Sequence, residues 1–283
     1  MRNWSQMSLR TISAKSSAGQ GLHAMEVSGL PSVELLGARV HGPTIDQAVA
    51  IIEGWIAKRE GRCRSAIVTG FHGLWVGHED SQFLHLLNGA DLFCPDGIAP
   101  IWLSRLHGRP LPGRVPGADL MEAFFRRAET MGFRSYFYGD TDETLTALGI
   151  RLGERFPRMG VAGMLSPPFG TLSVEEESQH VDTINASGAD VLWVGLGLPK
   201  QEQWISRNRT RLNVPVAIGV GAAFGFHAGT VKRVPQWIGD AGLEWVWRLV
   251  AEPRKLWRRD FIDGPRFIAA AMMELWSKKL SRQ

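Results

Sequence analysis

Residues 191–202 read VLWVGLGLPKQE, and this stretch decides the class of fold. It begins with an apolar run, Val191–Val194, that has the length of a buried β-strand. A glycine-rich turn follows the run, and the polar residues after Pro199 lead into a helical pattern. A short buried strand that turns through glycine into a helix is the unit from which parallel α/β sheets are built.

The same unit recurs along the chain from Val33 onward. The candidate strands are Val33–Val40, Ser65–Thr69, Leu92–Cys94, Ser135–Tyr138, Val161–Met164, Val191–Val194 and Val216–Val220. The helical patterns between them cover Ala48–Arg59 (behind a capping box at Thr44), Gly117–Arg127, Asp142–Phe156 and Val174–Ile184. This alternation predicts an α/β fold: a Rossmann-like, mostly parallel sheet with helices on both faces.

The chain divides into three predicted parts. Residues 1–30 are rich in Ser, Gly, Arg and Lys and lack the apolar run of a secretory signal, so we expect a flexible leader. Residues 31–242 carry the alternation and form the α/β domain. Residues 243–283 are predicted to be a helical appendage, broken at Pro253 and Pro265. Cys63 and Cys94 form neither a disulfide framework nor a zinc pattern, which fits a reducing cytosol.

The appendage carries the whole net charge of +4, since it holds nine Lys/Arg and five Asp/Glu. It also holds four of the eleven tryptophans. Basic residues interleaved with tryptophan suit an anionic membrane surface, although no run of about 18 apolar residues could span the bilayer. A terminal helix with its tryptophans packed on the core would give the same composition, so both interpretations remain open.

Glycine recurs at the ends of the candidate strands, where ligands of parallel sheets bind. Successive exposed backbone N–H groups ahead of a helix form a site for anions. Several such turns on one edge of the sheet indicate a bound nucleotide. The candidate binding residues in these turns are Gly195, Gly197, Lys200, Gly219 and Gly221.

Asp96 follows an apolar strand and stands between Pro95 and Gly97. A carboxylate held there could accept the proton of a hydroxyl group that attacks an anomeric carbon. A Pro-Asp-Gly sequence is also an ordinary turn, in which the aspartate bonds to its own backbone. The local sequence favours the turn.

Other short motifs have weaker functional interpretations. Neither Gly195-Leu196-Gly197 nor Gly219-Val220-Gly221 has the third glycine of a dinucleotide fingerprint. Asp140-Thr141-Asp142 has the Asp-x-Asp form that holds a metal–diphosphate in many sugar transferases, but a helix cap explains it equally. The eight histidines include no His-x-x-x-His pair, so no dedicated metal site is expected.

Five blocks of sequence together resemble the WecG/TagA/CpsF glycosyltransferase family, in family order. They lie at 90–98 (ADLFCPDGI), 114–120 (RVPGADL), 194–205 (VGLGLPKQEQWI), 218–235 (from IGVGAAF to RVP) and 242–259 (from GLEW to LWRR). The resemblance covers the chain from about Val33 to Phe261. It implies a metal-independent, inverting transferase that needs no cofactor. Its substrates would be a UDP-sugar donor and a polyprenyl-diphosphate-linked saccharide acceptor.

The resemblance also implies roles for individual residues. Asp96 is similar to the catalytic base of the family, which reverses the local preference for a turn. Thr69 would lie beside the active site, and Arg114 and Gln201 would line the sugar and diphosphate pocket. The appendage would dock at the inner face of the cell membrane. The family pattern further offers a set of arginines to stabilise the leaving diphosphate: Arg248, Arg254 and Arg258.

One position departs from the family pattern and leaves the donor sugar open. The family usually has Thr-x-Asn after the second strand, whereas Phe71 stands here in place of the asparagine. Glucose, N-acetylmannosamine and uronic-acid donors therefore remain alternatives. An NAD(P)-dependent oxidoreductase and a non-catalytic membrane-binding module are the competing functions. Nucleic acid is not an expected partner, because the chain outside the appendage is neutral. Self-association is implied by the resemblance alone.

Overall fold

The structure, a computed structural model, describes residues 25–231 and 257–280. The predicted alternation of strands and helices is confirmed in these residues. A parallel sheet has the strand order β4-β3-β8-β7-β5-β6. Its strands are β3 (Arg64–Thr69), β4 (Leu92–Pro95), β5 (Arg134–Gly139), β6 (Gly160–Leu165), β7 (Val191–Gly195) and β8 (Val216–Gly219).

Helices follow the strands, and they include the four helical patterns predicted from Ala48, Gly117, Asp142 and Val174 onward. They are α1 (Ile45–Lys58), α2 (Phe71–Glu79), α3 (Ser81–Asn88), α4 (Ile98–Leu106), α5 (Gly117–Met131), α6 (Asp142–Arg155), α7 (Val174–Ala186), α8 (Lys200–Asn208), α9 (Ala223–Ala228) and α10 (Gly264–Leu280). The capping box at Thr44 is confirmed: its side chain accepts a hydrogen bond from the Gln47 backbone N–H, and the Gln47 side chain accepts one from the Thr44 N–H.

The prediction of a single strand over Val33–Val40 is wrong. The segment forms an antiparallel hairpin of β1 (Ser32–Leu35) and β2 (Ala38–His41), separate from the main sheet. Leu36 and Gly37 both have positive φ, as a two-residue hairpin turn requires. In a continuous strand, every second residue would face the core. Here Leu35 and Ala38 are both buried although they are three positions apart, so the alternation shifts by one residue at the turn.

Different elements pack against the two faces of the main sheet. The first face packs against α1, α5, α6 and α9 around a cluster that includes Phe124, Phe125 and Trp193. The second face packs against α7 and α8 at one end. At its other end the hairpin, α2, α3, α4 and α10 enclose Ile67 and Phe93. The sheet therefore lies buried between two layers, and the strand ends remain the available place for a site.

The chain leaves the neighbouring strands β3 and β8 toward opposite faces of the sheet. After β3 it enters α2, whose Leu74 lies on the second face. After β8 it enters α9, whose Phe224 lies on the first face. Loops that diverge in this way leave a crevice at the carboxyl ends of the two strands, which is where ligands bind in open α/β sheets.

The helix at the C-terminal end of the chain is not broken at Pro265. Residues 257–280 are helical throughout, and a π-helical turn at Arg259–Asp263 precedes α10. In this wide turn the Gly264 N–H donates to the Arg259 carbonyl. Proline lacks an N–H group and crowds the carbonyl group four residues earlier, and Pro265 directly follows this wide turn, in which the regular i→i−4 bonding is already interrupted. Pro253 lies outside the described residues.

Both ends of the described chain pack on the α/β core. Met25 and Val27 contact the cluster on the first face, and Leu30 is buried in it. Phe267 and Ala270 of α10 are buried in the cluster that covers the hairpin side of the second face. Glu274 of α10 also accepts a hydrogen bond from the Leu36 backbone N–H in the hairpin turn. The predicted boundary at 242/243 lies outside the described residues.

Candidate functional site

The ends of β3 and β4 bring Thr69 and Asp96 together. The two strands are parallel neighbours, and the register pairs Thr69 with Pro95. The Asp96 backbone N–H donates a hydrogen bond of 2.9 Å to the Thr69 carbonyl. Thr69 is buried, whereas Asp96 is half-buried at the edge. The carboxyl group that the sequence singles out therefore lies where the sheet opens toward solvent.

The loop before α5 carries Arg114 to the same place. The Val115 N–H donates a hydrogen bond of 2.8 Å to the Pro95 carbonyl, which fixes the loop beside Asp96. Three residues on from Arg114, Gly117 lies so close to Val220 that a Cβ atom there would come within 3.1 Å of the Val220 carbonyl oxygen. The loop thus runs from the end of β4 to the end of β8, the two neighbours of β3.

The turns after β7 and β8 supply backbone to the opposite side of the crevice. Gly221, after β8, has φ of +57°, and a Cβ built on it meets nothing within 4 Å among the described residues. Gly197, after β7, has φ of +75° and is equally open. Open glycine backbone at a helix start can approach an anion closely. Lys200 is exposed at the first residue of α8.

Gln201 is buried and connects these two turns. Its backbone N–H donates to the Gly197 carbonyl at 3.0 Å, and its side-chain Oε1 accepts from the Gly221 N–H at 2.9 Å. The Gln201 side chain fills the space that a Cβ atom at Gly219 would need. Gly195 is equally constrained, because a Cβ atom there would collide with the ring of Phe224.

Glu202 completes this arrangement and was not among the candidates chosen from the sequence. It is 1% exposed, and burial raises its pKa to about 7. Its Oε1 accepts a hydrogen bond of 2.8 Å from the Gln201 Nε2. The signal in the sequence was its place three residues before the apolar Ile205 on α8, which puts both on the buried face of the helix.

The C-terminal helical segment reaches α2, the helix that begins two residues after Thr69. The rings of Phe71 and Phe267 are 5.6 Å apart, and the Arg259 guanidinium lies 5.8 Å from the centre of the Phe71 ring. His72 Nε2 lies 3.5 Å from Asp263 Oδ2. Burial lowers the pKa of His72, and Arg259 lowers it further, although Asp263 opposes the shift.

Of the three arginines that the family pattern offers for the leaving diphosphate, one lies within the described residues. Arg258 is exposed at the start of the helical segment, next to the Arg259 that contacts Phe71. Arg248 and Arg254 lie outside the described residues. The structure therefore brings Thr69, Asp96 and Arg114 to one side of the crevice and the glycine turns with Gln201 to the other.

The Asp140-Thr141-Asp142 motif serves as a helix cap, as the capping interpretation predicts. The Thr141 side chain accepts a hydrogen bond from the Thr144 N–H at the start of α6. The Asp140 side chain accepts one from the Thr141 N–H. Within residues 25–231 and 257–280, no group of three or more His, Cys, Asp or Glu side chains is arranged to hold a metal ion.

The sequence model of the glycosyl transferase family WecG/TagA/CpsF matches residues 33–281. The chain belongs to this family. It is therefore a glycosyltransferase, and the alternatives of an oxidoreductase and of a non-catalytic module are set aside.

Three relatives of known activity are similar over most of the chain. Each is an N-acetylglucosaminyldiphosphoundecaprenol N-acetyl-beta-D-mannosaminyltransferase. That of Bacillus spizizenii is 31% identical over 194 residues, which are 69% of this chain and 73% of the relative. The Bacillus subtilis protein is 27% identical over 71% of this chain and 76% of its own length. The protein of Staphylococcus aureus strain NCTC 8325 is 26% identical over 82% of this chain and 90% of its own length.

Gly70 allows the close approach of β3 and β4 at the site, which leads to a first prediction. An added Cβ at Gly70 would collide with the Asp96 carbonyl oxygen. We expect Gly70→Ala to displace Asp96 and to lower turnover at least ~10-fold, because misplacing a reacting group by about 1 Å can cost ~100-fold. Steady-state transfer rates measure the effect.

The matched control is Gly153→Ala, on the exposed side of α6, where an added Cβ meets nothing within 4 Å. This control should keep full turnover and unfold at the temperature of the parent or slightly above it, because alanine favours a helix more than glycine does. If Gly70→Ala were as active as Gly153→Ala, the separation of Asp96 from β3 would not matter for catalysis.

Proposed function

We propose that this glycosyltransferase moves a hexose from a UDP-sugar to a polyprenyl-diphosphate-linked saccharide, with inversion at the anomeric carbon. The observation that carries the proposal is the crevice between the ends of β3 and β8, with Asp96 on one side and the open turns of Gly197 and Gly221 on the other. The names of the relatives, which act on a diphosphoundecaprenol-linked sugar, support the class of acceptor.

In the proposed reaction Asp96 is the general base. The hydroxyl oxygen of the acceptor attacks C1 of the donor sugar, and its proton passes to the Asp96 carboxylate. The bond between C1 and the diphosphate oxygen breaks, and UDP leaves with the electron pair. The backbone N–H groups of the glycine turns and nearby cations such as Arg114 and Arg258 stabilise the charge that develops on the diphosphate.

The donor is proposed as a hexose of the glucose, N-acetylmannosamine or uronic-acid type. N-acetylmannosamine has the support of the names of the relatives. Phe71, the departure from the family pattern, packs its ring against Phe267 and lies beneath Arg259. Phe71 therefore helps to hold the C-terminal helical segment against α2. It would influence the choice of donor through the shape of the site rather than through a direct contact with the sugar.

We also propose that the enzyme acts at an anionic membrane surface on the cytoplasmic side. Within the described ranges, no helix is long and apolar enough to cross a bilayer. The outer side of α10 is nevertheless apolar: Met272 is 65% and Trp276 is 71% exposed, one helical turn apart. Other large apolar side chains are exposed on α10 and on α4, namely Trp102, Leu106, Ile268, Met273 and Leu280.

The end of α4 lies beside α10, so we group these exposed side chains as one proposed docking surface. His107 follows Leu106 at the end of α4, and its Nε2 lies 3.4 Å from Glu274 Oε2 on α10. Exposed basic residues accompany the apolar ones: Arg105, Arg109, Arg266 and Lys279. An apolar helix face flanked by basic side chains is the pattern of a helix that lies in the headgroup region of anionic lipids. We call this surface the α4–α10 face.

The experiment that tests the function is UDP release from a panel of UDP-sugars, with and without a short-chain polyprenyl-diphosphate-linked N-acetylglucosamine. We expect release with one sugar of the panel and only in the presence of the acceptor. Release without acceptor would mean hydrolysis, and no release from folded enzyme on anionic vesicles would contradict the proposed substrates.

Replacing Asp96 by asparagine tests the general base. We expect Asp96→Asn to reduce turnover at least ~100-fold, the usual scale for a general base, because the amide cannot take a proton. UDP affinity, measured by calorimetry, should change little. The matched control is Asp182→Asn on the exposed side of α7, which removes a carboxylate of the same kind away from the crevice. Equal turnover in the two variants would remove Asp96 from the chemistry.

The α4–α10 face predicts which residues bind the membrane. We expect the double variant Met272→Ser/Trp276→Ser to bind vesicles of anionic phosphatidylglycerol at least ~10-fold more weakly, because two apolar side chains are no longer buried among the lipids. Sedimentation with vesicles measures this. The control is Phe169→Ser, since Phe169 is 95% exposed but lies in the loop between β6 and α7. Equal loss of binding in both variants would contradict a specific docking face.

A further inference from the structure

Two buried polar side chains stand next to each other at the start of α8. Gln201 is 2% and Glu202 is 1% exposed. Among the described residues, the Glu202 Oε1 accepts a hydrogen bond of 2.8 Å from the Gln201 Nε2, and the carboxyl group also interacts with its own backbone N–H, whereas Oε2 accepts none. A buried carboxyl group without a cation is rare, because desolvation disfavours its charged form.

The hydrogen bonds fix the orientation of the Gln201 amide. The Gly221 backbone N–H can only donate, so the atom 2.9 Å from it is the amide oxygen of Gln201. The amide NH₂ group must then point the other way, toward the Glu202 Oε1. If residue 202 offered no acceptor, this NH₂ group would be buried without a partner, and the amide orientation would lose its support.

The Gln201 amide in turn holds two turns of the crevice in place. Its oxygen restrains Gly221 after β8, while the Gln201 main chain is bonded to Gly197 after β7. The side chain also lies directly against Gly219, where a Cβ atom would come within 2.9 Å of Nε2. A change at Glu202 is therefore transmitted through one amide group to the backbone on the β7–β8 side of the crevice.

We propose that Glu202 is a positioning residue for sugar transfer: it orients the Gln201 amide, which holds the Gly221 turn in the conformation that receives the donor diphosphate. This inference rests on the proposed function, because it assigns the Gly221 turn to the diphosphate. Glu202 takes no part in the chemistry itself and acts through Gln201.

A purely structural role does not explain an acid at this position. Leucine would fill a similar volume on the buried face of α8 without a carboxyl group to desolvate. Because burial raises the pKa of Glu202 from 4.5 to about 7, the folded protein loses stability as the pH rises through this range. The Gln201 hydrogen bond and the Glu202 backbone N–H oppose the shift, and no charged side chain of the described residues contributes to it.

The test compares Glu202→Leu, which removes the acceptor, with Glu202→Gln, which keeps an accepting oxygen. At about pH 8, above the pKa of Glu202, we expect Glu202→Leu to lower kcat/KM for the UDP-sugar at least ~10-fold, the scale of one lost buried hydrogen bond. Glu202→Gln should stay within about threefold of the parent. The KM for the lipid-linked acceptor should be unchanged in both.

A double-mutant cycle separates positioning from simple packing. The Gln201→Ala variant already lacks the amide group that joins Glu202 to the Gly221 turn. Adding Glu202→Leu to this variant should therefore change kcat/KM by less than about twofold.

The inference is overturned if Glu202→Leu has the kcat/KM of the parent, or if its effect adds to that of Gln201→Ala. Failure of the proposed function looks different: the parent would release no UDP from any donor. In that case the link from Glu202 through Gln201 to Gly221 is tested without substrate, by NMR hydrogen exchange of the protein. The Gly221 amide should exchange faster in Glu202→Leu than in Glu202→Gln, and equal exchange would overturn the inference.

Discussion

The site depends on one constraint, the parallel pairing of β3 with β4 and β8. Parallel strands end at the same edge, so Thr69, Asp96 and Gly219 are neighbours in space although about 150 residues separate the first from the last. The hydrogen bond from the Asp96 N–H to the Thr69 carbonyl fixes the junction of β3 and β4. Because the chain leaves β3 and β8 toward opposite faces, a crevice is expected between them, and this is where we propose that the substrate binds.

Most strands and several helices could be predicted from the sequence, but which elements pack against one another could not. Strands such as Val191–Gly195 are recognisable because both sides are apolar, and Thr44 marks its helix through the capping box. The hairpin at Leu36 was missed because a two-residue turn interrupts the apolar pattern without a polar segment. Asp96 could be singled out by its position after a strand. That it lies beside Thr69 depends on strand order, which no local pattern encodes.

The glycine turns and the carboxylate of the proposed site were chosen from the sequence, whereas the residues that hold these groups in place were not. Glu202 stands in the quoted motif, but the positioning role proposed for it follows only from its burial against Gln201. Similarly, Phe71 was recognised as a departure from the family pattern before its partner was known. Its contact with Phe267 belongs to a helix almost 200 residues away in the chain. Contacts of this kind come from tertiary packing and leave no periodic signal.

The C-terminal helical segment would connect the proposed membrane surface to the crevice physically. One side of α10 is buried through Phe267 and Ala270, and the opposite side exposes Met272 and Trp276. The same segment contacts α2, which begins one residue after Gly70. A helix that rests in the headgroup region would hold the end of β3 close to the lipid surface, where an acceptor with its tail in the bilayer presents its sugar. Docking and catalysis would then share one element, so the reaction would be favoured where the acceptor is found.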